Sequence, residues 1–399
     1  MVPAARRAEV QAWVACTTVT PAYTVREITR AEHLAFITAR ATEESVSFLQ
    51  CPSWADVKRE WRSRSLGWYA PDGTLVGVGL VLLRPVPKLP RYLAYLPEGP
   101  VLDWAGAAER GELEALLVPL ADYLKDAGAF GVKLGPLVAH RRWHAATVKA
   151  AIADGSATRL ADLPADHTDP VAARLGDALR RLGWNPPASG GGFAAGQPQY
   201  VFQLPLAGRT EEELLKSFNQ LWRRNVKKAA KEGVEVTLGG EGDLPEFHTL
   251  YVETAARDHF TPRPLWYFQQ MWRAMNAEAP DRIRLYLARH DGDLVAATTM
   301  VQVGRHAWYS YGASSTAKRE VRGSNAVQWQ MIRDAATTGA EVYDLRGIID
   351  TLDQDDPHFG LIQFKLGTGG EAVEYLGEWD LPLNRVLYKA FQVYLSRRG

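Results

Sequence analysis

The 399-residue sequence has only two cysteines, Cys16 and Cys51, and they stand in no metal-ligand spacing. Their scarcity excludes a disulfide framework and makes the reducing cytoplasm the expected compartment. Charge of one sign is not in excess, since 46 Lys+Arg face 46 Asp+Glu. A surface coated in basic residues for wrapping nucleic acid is thereby excluded, although a local basic patch is not. No apolar run approaches the roughly 20 residues of a membrane span. Arg6 and Arg7 precede VQAWVAC, which is short and interrupted by Gln11, so it makes no signal core. Residues 1–21 are expected to form a loosely ordered leader.

What is present is an ordinary globular composition, 46% apolar and 23% charged, in a chain long enough for two hydrophobic cores. Thirteen tryptophans and fifteen tyrosines would serve as core or as aromatic walls for a sizeable ligand.

Helices are expected over Arg30–Arg40, Trp54–Ser63 (with Ser53 as N-cap) and Ala107–Ala127. Strands are expected over Leu75–Leu83, Tyr92–Leu96 and Phe130–Leu134. Residues 138–197 read poorly, and the breaker cluster NPPASGGG at 185–192 is either a loop or a domain joint. The second half repeats the pattern. It has a strand at Tyr200–Leu206, helices at Glu211–Glu232, Leu244–Asp258 and Pro264–Ala277, and strands at Ile283–Arg289, Leu294–Val303 and His306–Gly312. A helix at Asn325–Thr338, strands at Val342–Leu345 and Ala372–Leu376, and a last helix near Asn384–Ser396 complete it. Helix, helix, antiparallel strands, helix, strand is the order of a GNAT-type (N-acetyltransferase-type) domain. Seen twice, it predicts an α/β (α+β) fold of two tandem GNAT-like domains with mixed sheets, at 22–197 and 198–377.

Three stretches carry chemistry. In TEEELLKSFNQLWRRNVKKAAKEGV, Thr210 and Glu213 form a capping box, and Leu214, Phe218, Leu221, Trp222, Val226 and Ala229 recur at helical spacing. Lys216, Arg223, Arg224, Lys227, Lys228 and Lys231 occupy the rest. They are either a solvated face or, at adjacent Arg223 and Arg224, a bidentate grip on a polyanion. In EVRGSNAVQWQMI, Gly323 sits where a CoA-pyrophosphate loop begins. Glu320 and Asn325 then replace residues that would have to be basic and small, which counts against acetyl-CoA. Finally, YDLRGI from Tyr343 is followed by an acidic loop and FGLIQFKLGTGG, and then a strand through Glu378.

The stretch Tyr343–Leu381 resembles the closing motif of the Fem family (FemABX-type) of aminoacyl-tRNA-dependent peptidyltransferases. Leu345 and Thr368 stand where aromatics are usual. RRNVKKAAKEGVEV resembles the family's arginine-asparagine signature, and SFLQCPSWADVKREWRSRSLGW and YLPEGPVLD resemble first-domain segments, with Glu98 in place of an arginine. ETAARDHFTPRPLWYF resembles a second-domain segment, with His259 in place of a glycine.

The resemblance implies transfer of an amino acid from aminoacyl-tRNA to an amine of a lipid- or UDP-linked MurNAc-pentapeptide, forming the interpeptide bridge of peptidoglycan. It implies no cofactor and no metal, and a C-terminal helix, 378–399, that packs back on the first domain. Its catalytic pair would be Phe364 and Lys365, with the lysine held by a rigid turn as a cation for the oxyanion. Lys58, Tyr95, Asp103, Arg223, Arg224, Arg263, Tyr267 and Asp344 would bind substrate, and Asp103, Asp344 and His358 are candidates for a base. Cytoplasmic action, with membrane contact through a lipid-linked substrate, is the expected setting. Transfer to a non-cell-wall acceptor, an acyl-CoA acyltransferase and a non-catalytic binding protein are the alternatives.

Overall fold

The computed structural model describes residues 23–87, 89–187 and 196–396. The leader expected at 1–21 lies outside them, as does most of the glycine run.

Two mixed sheets carry the molecule. The first has the strands β1 (Thr24–Glu27), β2 (Arg62–Tyr69), β3 (Leu75–Val86), β4 (Leu89–Leu96) and β5 (Ala129–Leu134) in chain order. The next strands, β6 (Ala139–His144), β7 (His167–Thr168) and β8 (Tyr200–Pro205), belong to the second sheet. So do β9 (Glu235–Gly239), β10 (Ile283–His290), β11 (Asp293–Val303), β12 (His306–Ser314), β13 (Val342–Gly347) and β14 (Glu371–Tyr375). The last strand, β15 (Trp379–Pro382), returns to the first sheet beside β5. In order, the sheets read β1-β2-β3-β4-β5-β15 and β7-β6-β14-β8-β13-β12-β11-β10-β9.

The repeat is visible in the pairing. β1 to β4 are joined antiparallel and β4 meets β5 in parallel; β9 to β12 are joined antiparallel and β12 meets β13 in parallel. The structure is therefore the α/β arrangement of two GNAT-like units. The sheets do not divide at 197/198, because β6 and β7 pair within the second sheet. The reason is local: Trp143 of β6 is fully buried in one core with Phe202 and Leu204 of β8, and Arg141 and Arg142 form ion pairs with Glu374 and Glu371 of β14.

β3 shows why a continuous apolar run makes a central strand. Its Val78, Leu80 and Leu82 enter a core shared with helices Leu244–Asp258 and Leu265–Glu278 of the second unit. The alternate Val81 and Leu83 face a second core under helices Leu113–Asp126 and Pro170–Arg181. Period-two alternation between two apolar faces leaves no polar position. The C-terminal helix Arg385–Ser396 lies on the first sheet, with Phe391 5.2 Å from the Phe130 ring.

Several elements differ from the sequence expectation. The helix expected over Trp54–Ser63 stops at Val57, and Arg62 opens β2; Ser53 caps nothing and instead donates to Glu278. The helix expected over Ala107–Ala127 is two, Trp104–Arg110 and Leu113–Asp126, separated at Gly111 with φ +72°. Glu211–Glu232 is likewise two, Glu211–Ser217 and Gln220–Lys231, since Phe218 and Asn219 are extended and Asn219 caps the second. Leu221, expected on the buried face, is 60% exposed.

Candidate functional site

The site sits where two parallel strands part. β12 and β13 pair only from His306/Val342 to Trp308/Asp344. Beyond that point β12 follows β11 to Ser314, while β13 follows β8 towards Gly347. The stretch Asp344–Gly347 thus borders an opening in the sheet.

Helix Phe359–Leu366 places Lys365 against this stretch. The lysine was expected on a rigid turn, but it lies in the helix's last turn and is only 4% exposed. Its Nζ donates to the carbonyls of Gly347 at 2.6 Å and Arg346 at 3.1 Å. Burial lowers its pKa to about 7; the nearby Asp344 carboxylate opposes the shift and the Arg346 guanidinium adds to it. An ammonium has three N–H donors, so one is left for another acceptor. Phe364 anchors the same helix: its carbonyl accepts from Trp222 Nε1 at 2.8 Å, and the two rings lie 4.7 Å apart.

Asp344 is buried and accepts from the Arg346 backbone N–H at 2.5 Å and from Gln203 Nε2 at 3.1 Å. His306 Nε2 lies 3.5 Å from it. Burial pushes this carboxyl up, but His306, Arg346 and Gln203 outweigh burial and hold it below its ordinary range. The Gln203 amide also donates to the Tyr375 hydroxyl at 2.7 Å.

Arg346 crosses to the first unit. Its guanidinium donates to Glu98 Oε1 at 2.9 Å and to Gln197 Oε1 at 2.9 Å. Gln197 in turn donates to the Tyr95 hydroxyl at 3.4 Å, and Tyr95 donates to Glu378 at 2.5 Å. Tyr95 therefore belongs to the Lys365 network.

Lys58, Arg263 and Tyr267 form a second cluster. Lys58 Nζ lies 5.6 Å, and the Arg263 guanidinium 5.3 Å, from the Tyr267 ring centre. Burial, and then the repulsion of Arg263, lower the Lys58 pKa against a smaller opposing pull from Glu60. Among the described residues neither side chain forms an ion pair with a carboxylate, so a bound anion would relieve both. A ring ladder joins the clusters: Lys58 is 5.7 Å from Trp54, Trp54 5.5 Å from Phe48, and Arg346 5.9 Å from Phe48.

The remaining expected residues lie elsewhere. Asp103 is an exposed N-cap that accepts from Gly106 N at 2.9 Å and pairs with Arg110, apart from the hydrogen bonds that link Lys365, Arg346 and Tyr95. His358 is paired with Asp356 at the entry to the Lys365 helix. Arg223 and the exposed Arg224 ride on helix Gln220–Lys231, which Trp222 docks onto the Lys365 helix. The sequence reading did not assign Glu98, Gln197, Gln203, His306, Arg346 or Tyr375. Glu98 is visible in the sequence only as a departure from the family motif, and Gln203 is the one polar residue within the strand YVFQLP.

Comparison with known proteins decides the relationship. The model of the FemAB family matches residues 28–291 and 285–395. This chain belongs to the FemAB family. Relatives named lipid II:glycine glycyltransferase, from Staphylococcus epidermidis and Staphylococcus haemolyticus, are each 25% identical. They cover 90% and 92% of this chain and 93% and 94% of their own length. Among solved structures, one described as FemX superposes with a TM-score of 0.75 at 24% identity, covering 92% of this chain and 99% of that one. A tandem GNAT protein from the clavulanic acid pathway superposes at 0.50 with 12% identity, covering 90% and 98%, a likeness of fold.

Proposed function

We propose that this FemAB-family chain transfers an amino acid from an aminoacyl-tRNA to an amine of the stem peptide of a peptidoglycan precursor, building an interpeptide bridge. The observation that carries this reading is Lys365, whose buried ammonium donates to two carbonyls of the stretch where β13 leaves β12 and keeps a third N–H. The names of the glycyltransferase relatives support a lipid-linked acceptor and a transferred amino acid.

The chemistry follows from that placement. The acceptor amine, as the free base, attacks the carbonyl carbon of the aminoacyl ester. The carbonyl oxygen becomes an oxyanion, to which Lys365 donates its remaining N–H. The C–O ester bond then breaks, the amide forms, and the departing ribose hydroxyl takes up the proton the amine gives away. An ester donor is already activated, so positioning supplies much of the rate. Phe364 fixes the Lys365 helix, Asp344 orders the Arg346 backbone, and Tyr95 and Tyr375 line the approach. Lys58 and Arg263 hold an anionic part of the precursor, and Arg223 and Arg224 meet phosphate. No helix among the described residues is long and apolar enough to cross a membrane. A lipid-linked acceptor would be met at the inner membrane face, from the cytoplasm.

An acyl-CoA donor is not favoured. Glu320 stands one turn ahead of helix Gly323–Thr337, where a pyrophosphate would be repelled, and Asn325 is buried within its first turn. The deciding experiment incubates the protein with charged tRNAs and lipid- or UDP-linked MurNAc-pentapeptide and weighs the product. One added amino-acid residue is expected, and Lys365→Met should abolish it. No mass gain with any amino acid, or full transfer by Lys365→Met, would overturn the reading.

A further inference from the structure

We infer that Glu98, contributed by the first unit, is a positioning residue that sets the reactivity of Lys365 in the second unit through Arg346. The inference rests on the transfer reaction proposed above and adds to it a residue and a route of control.

The geometry begins at the carbonyls that hold Lys365. One of them belongs to Arg346, whose φ of +64° is in the left-handed region, which strains a non-glycine residue. Something must hold it there. Its backbone N–H is fixed by Asp344, and its guanidinium by Glu98 and Gln197. Glu98 is itself committed: it is 7% exposed, has φ +48°, and accepts from Ser47 Oγ at 2.5 Å. A surface ion pair would add little, but this pair is buried on both sides, with side chains 18% and 6% exposed.

The charges acting on Lys365 are Asp344 and Arg346, both on β13. Glu98 in the turn after β4 and Tyr375 on β14 act on Arg346, and His306 on β12 acts on Asp344. The helices beside the Lys365 helix, Ala145–Asp154 and Gln220–Lys231, carry Lys149, Asp154, Arg223, Arg224, Lys227, Lys228 and Lys231, none of which is among the charges acting on it. Glu98 thus pairs with the cation that, among the described residues, repels the Lys365 ammonium. Without the carboxylate, Arg346 faces Lys365 uncompensated and the ammonium gives up its proton at lower pH.

The pH dependence of kcat for transfer tests this with four variants of the full chain. Wild type should lose activity as pH rises past about 7, where Lys365 deprotonates. In Glu98→Gln that limb should move about one unit lower, a roughly tenfold fall in kcat at pH 8 with little change in KM. In Arg346→Gln, the unpaired Glu98 carboxylate should move the limb above wild type. The double variant Glu98→Gln/Arg346→Gln should sit at or above wild type, and it keeps the order readable if Glu98→Gln alone folds poorly. Coincident limbs in all variants, or no alkaline limb in wild type between pH 6 and 9, would overturn the inference. Lys365→Met run alongside separates the levels. If it is inactive and the order is absent, only the role of Glu98 falls; if it is active, the transfer reading falls first.

Discussion

A lysine stripped of water carries a cost at every pH where its unfolded counterpart is charged. Lys365 titrates near 7 in the fold and near the ordinary lysine value when unfolded. Between those limits the unfolded chain binds the extra proton, so stability should rise with pH, by about 1.4 kcal/mol per unit of pKa difference. Below pH 7 both states are protonated and the slope vanishes. Urea unfolding of wild type against Lys365→Met from pH 6 to 10 reads this directly: the wild type should gain on the variant as pH rises, and parallel curves would contradict a depressed lysine. Asp103 makes the opposite case. As an exposed N-cap, its replacement by alanine should cost about 1 kcal/mol of stability and leave KM and kcat for transfer unchanged. A large loss of activity would return it to the cleft. Residue identity was legible here only where a motif carried it. Lys365, Phe364 and Asp344 came from the closing motif, whereas the Glu98–Arg346 pair, 248 positions apart, has no local pattern to betray it.

At the scale of an element, the basic helix acts through its apolar side. Trp222 is 3% exposed, bonds the Phe364 carbonyl, and packs so closely that a Cβ on Gly367 would meet its ring at 2.0 Å. Trp222→Ala should therefore cost about 3–5 kcal/mol. It should also lower kcat, because the Lys365 helix loses its clamp; an unchanged kcat in the folded variant would argue that the two helices are independent. Arg224→Ala, on the exposed side, should stay within about 0.5 kcal/mol of wild type in stability while raising KM for the phosphate-bearing acceptor. The capping box at Thr210 and the termini of most helices were readable because their signals are local. The break at Phe218 was not, since helical periodicity runs through it. What interrupts the helix is tertiary: the Asn219 backbone N–H bonds the Gly367 carbonyl, and Phe218 packs edge-on against Trp329 at 5.4 Å. The same holds for β2, whose Arg62 and Ser63 read as the end of a helix until pairing with β3 claimed them.

At the scale of the whole molecule, the duplicated order of elements was legible and the entry of β6 and β7 into the second sheet was not. Periodicity reports which residues are buried, not against which neighbour. Two strands from the first half complete the second sheet, and β15, after the second half, completes the first. Between the sheets lies a core that both halves build, with Phe48, Val78, Leu80, Leu82 and Val101 on one side. Phe247, Phe268, Met271 and Trp308 stand on the other. An interface of this kind is a shared interior rather than a docking surface, and neither half can bury its own apolar face. The chain should therefore unfold in one cooperative transition seen alike by tryptophan fluorescence and circular dichroism. Residues 22–197 expressed alone should fail to fold, since β6 would lack β14, β5 would lack β15, and the shared core would face water. Two resolved transitions, or a fragment with dispersed amide resonances, would show that the halves are separable. The route from Glu98 to Lys365 would then cross a joint able to open, instead of a continuous interior.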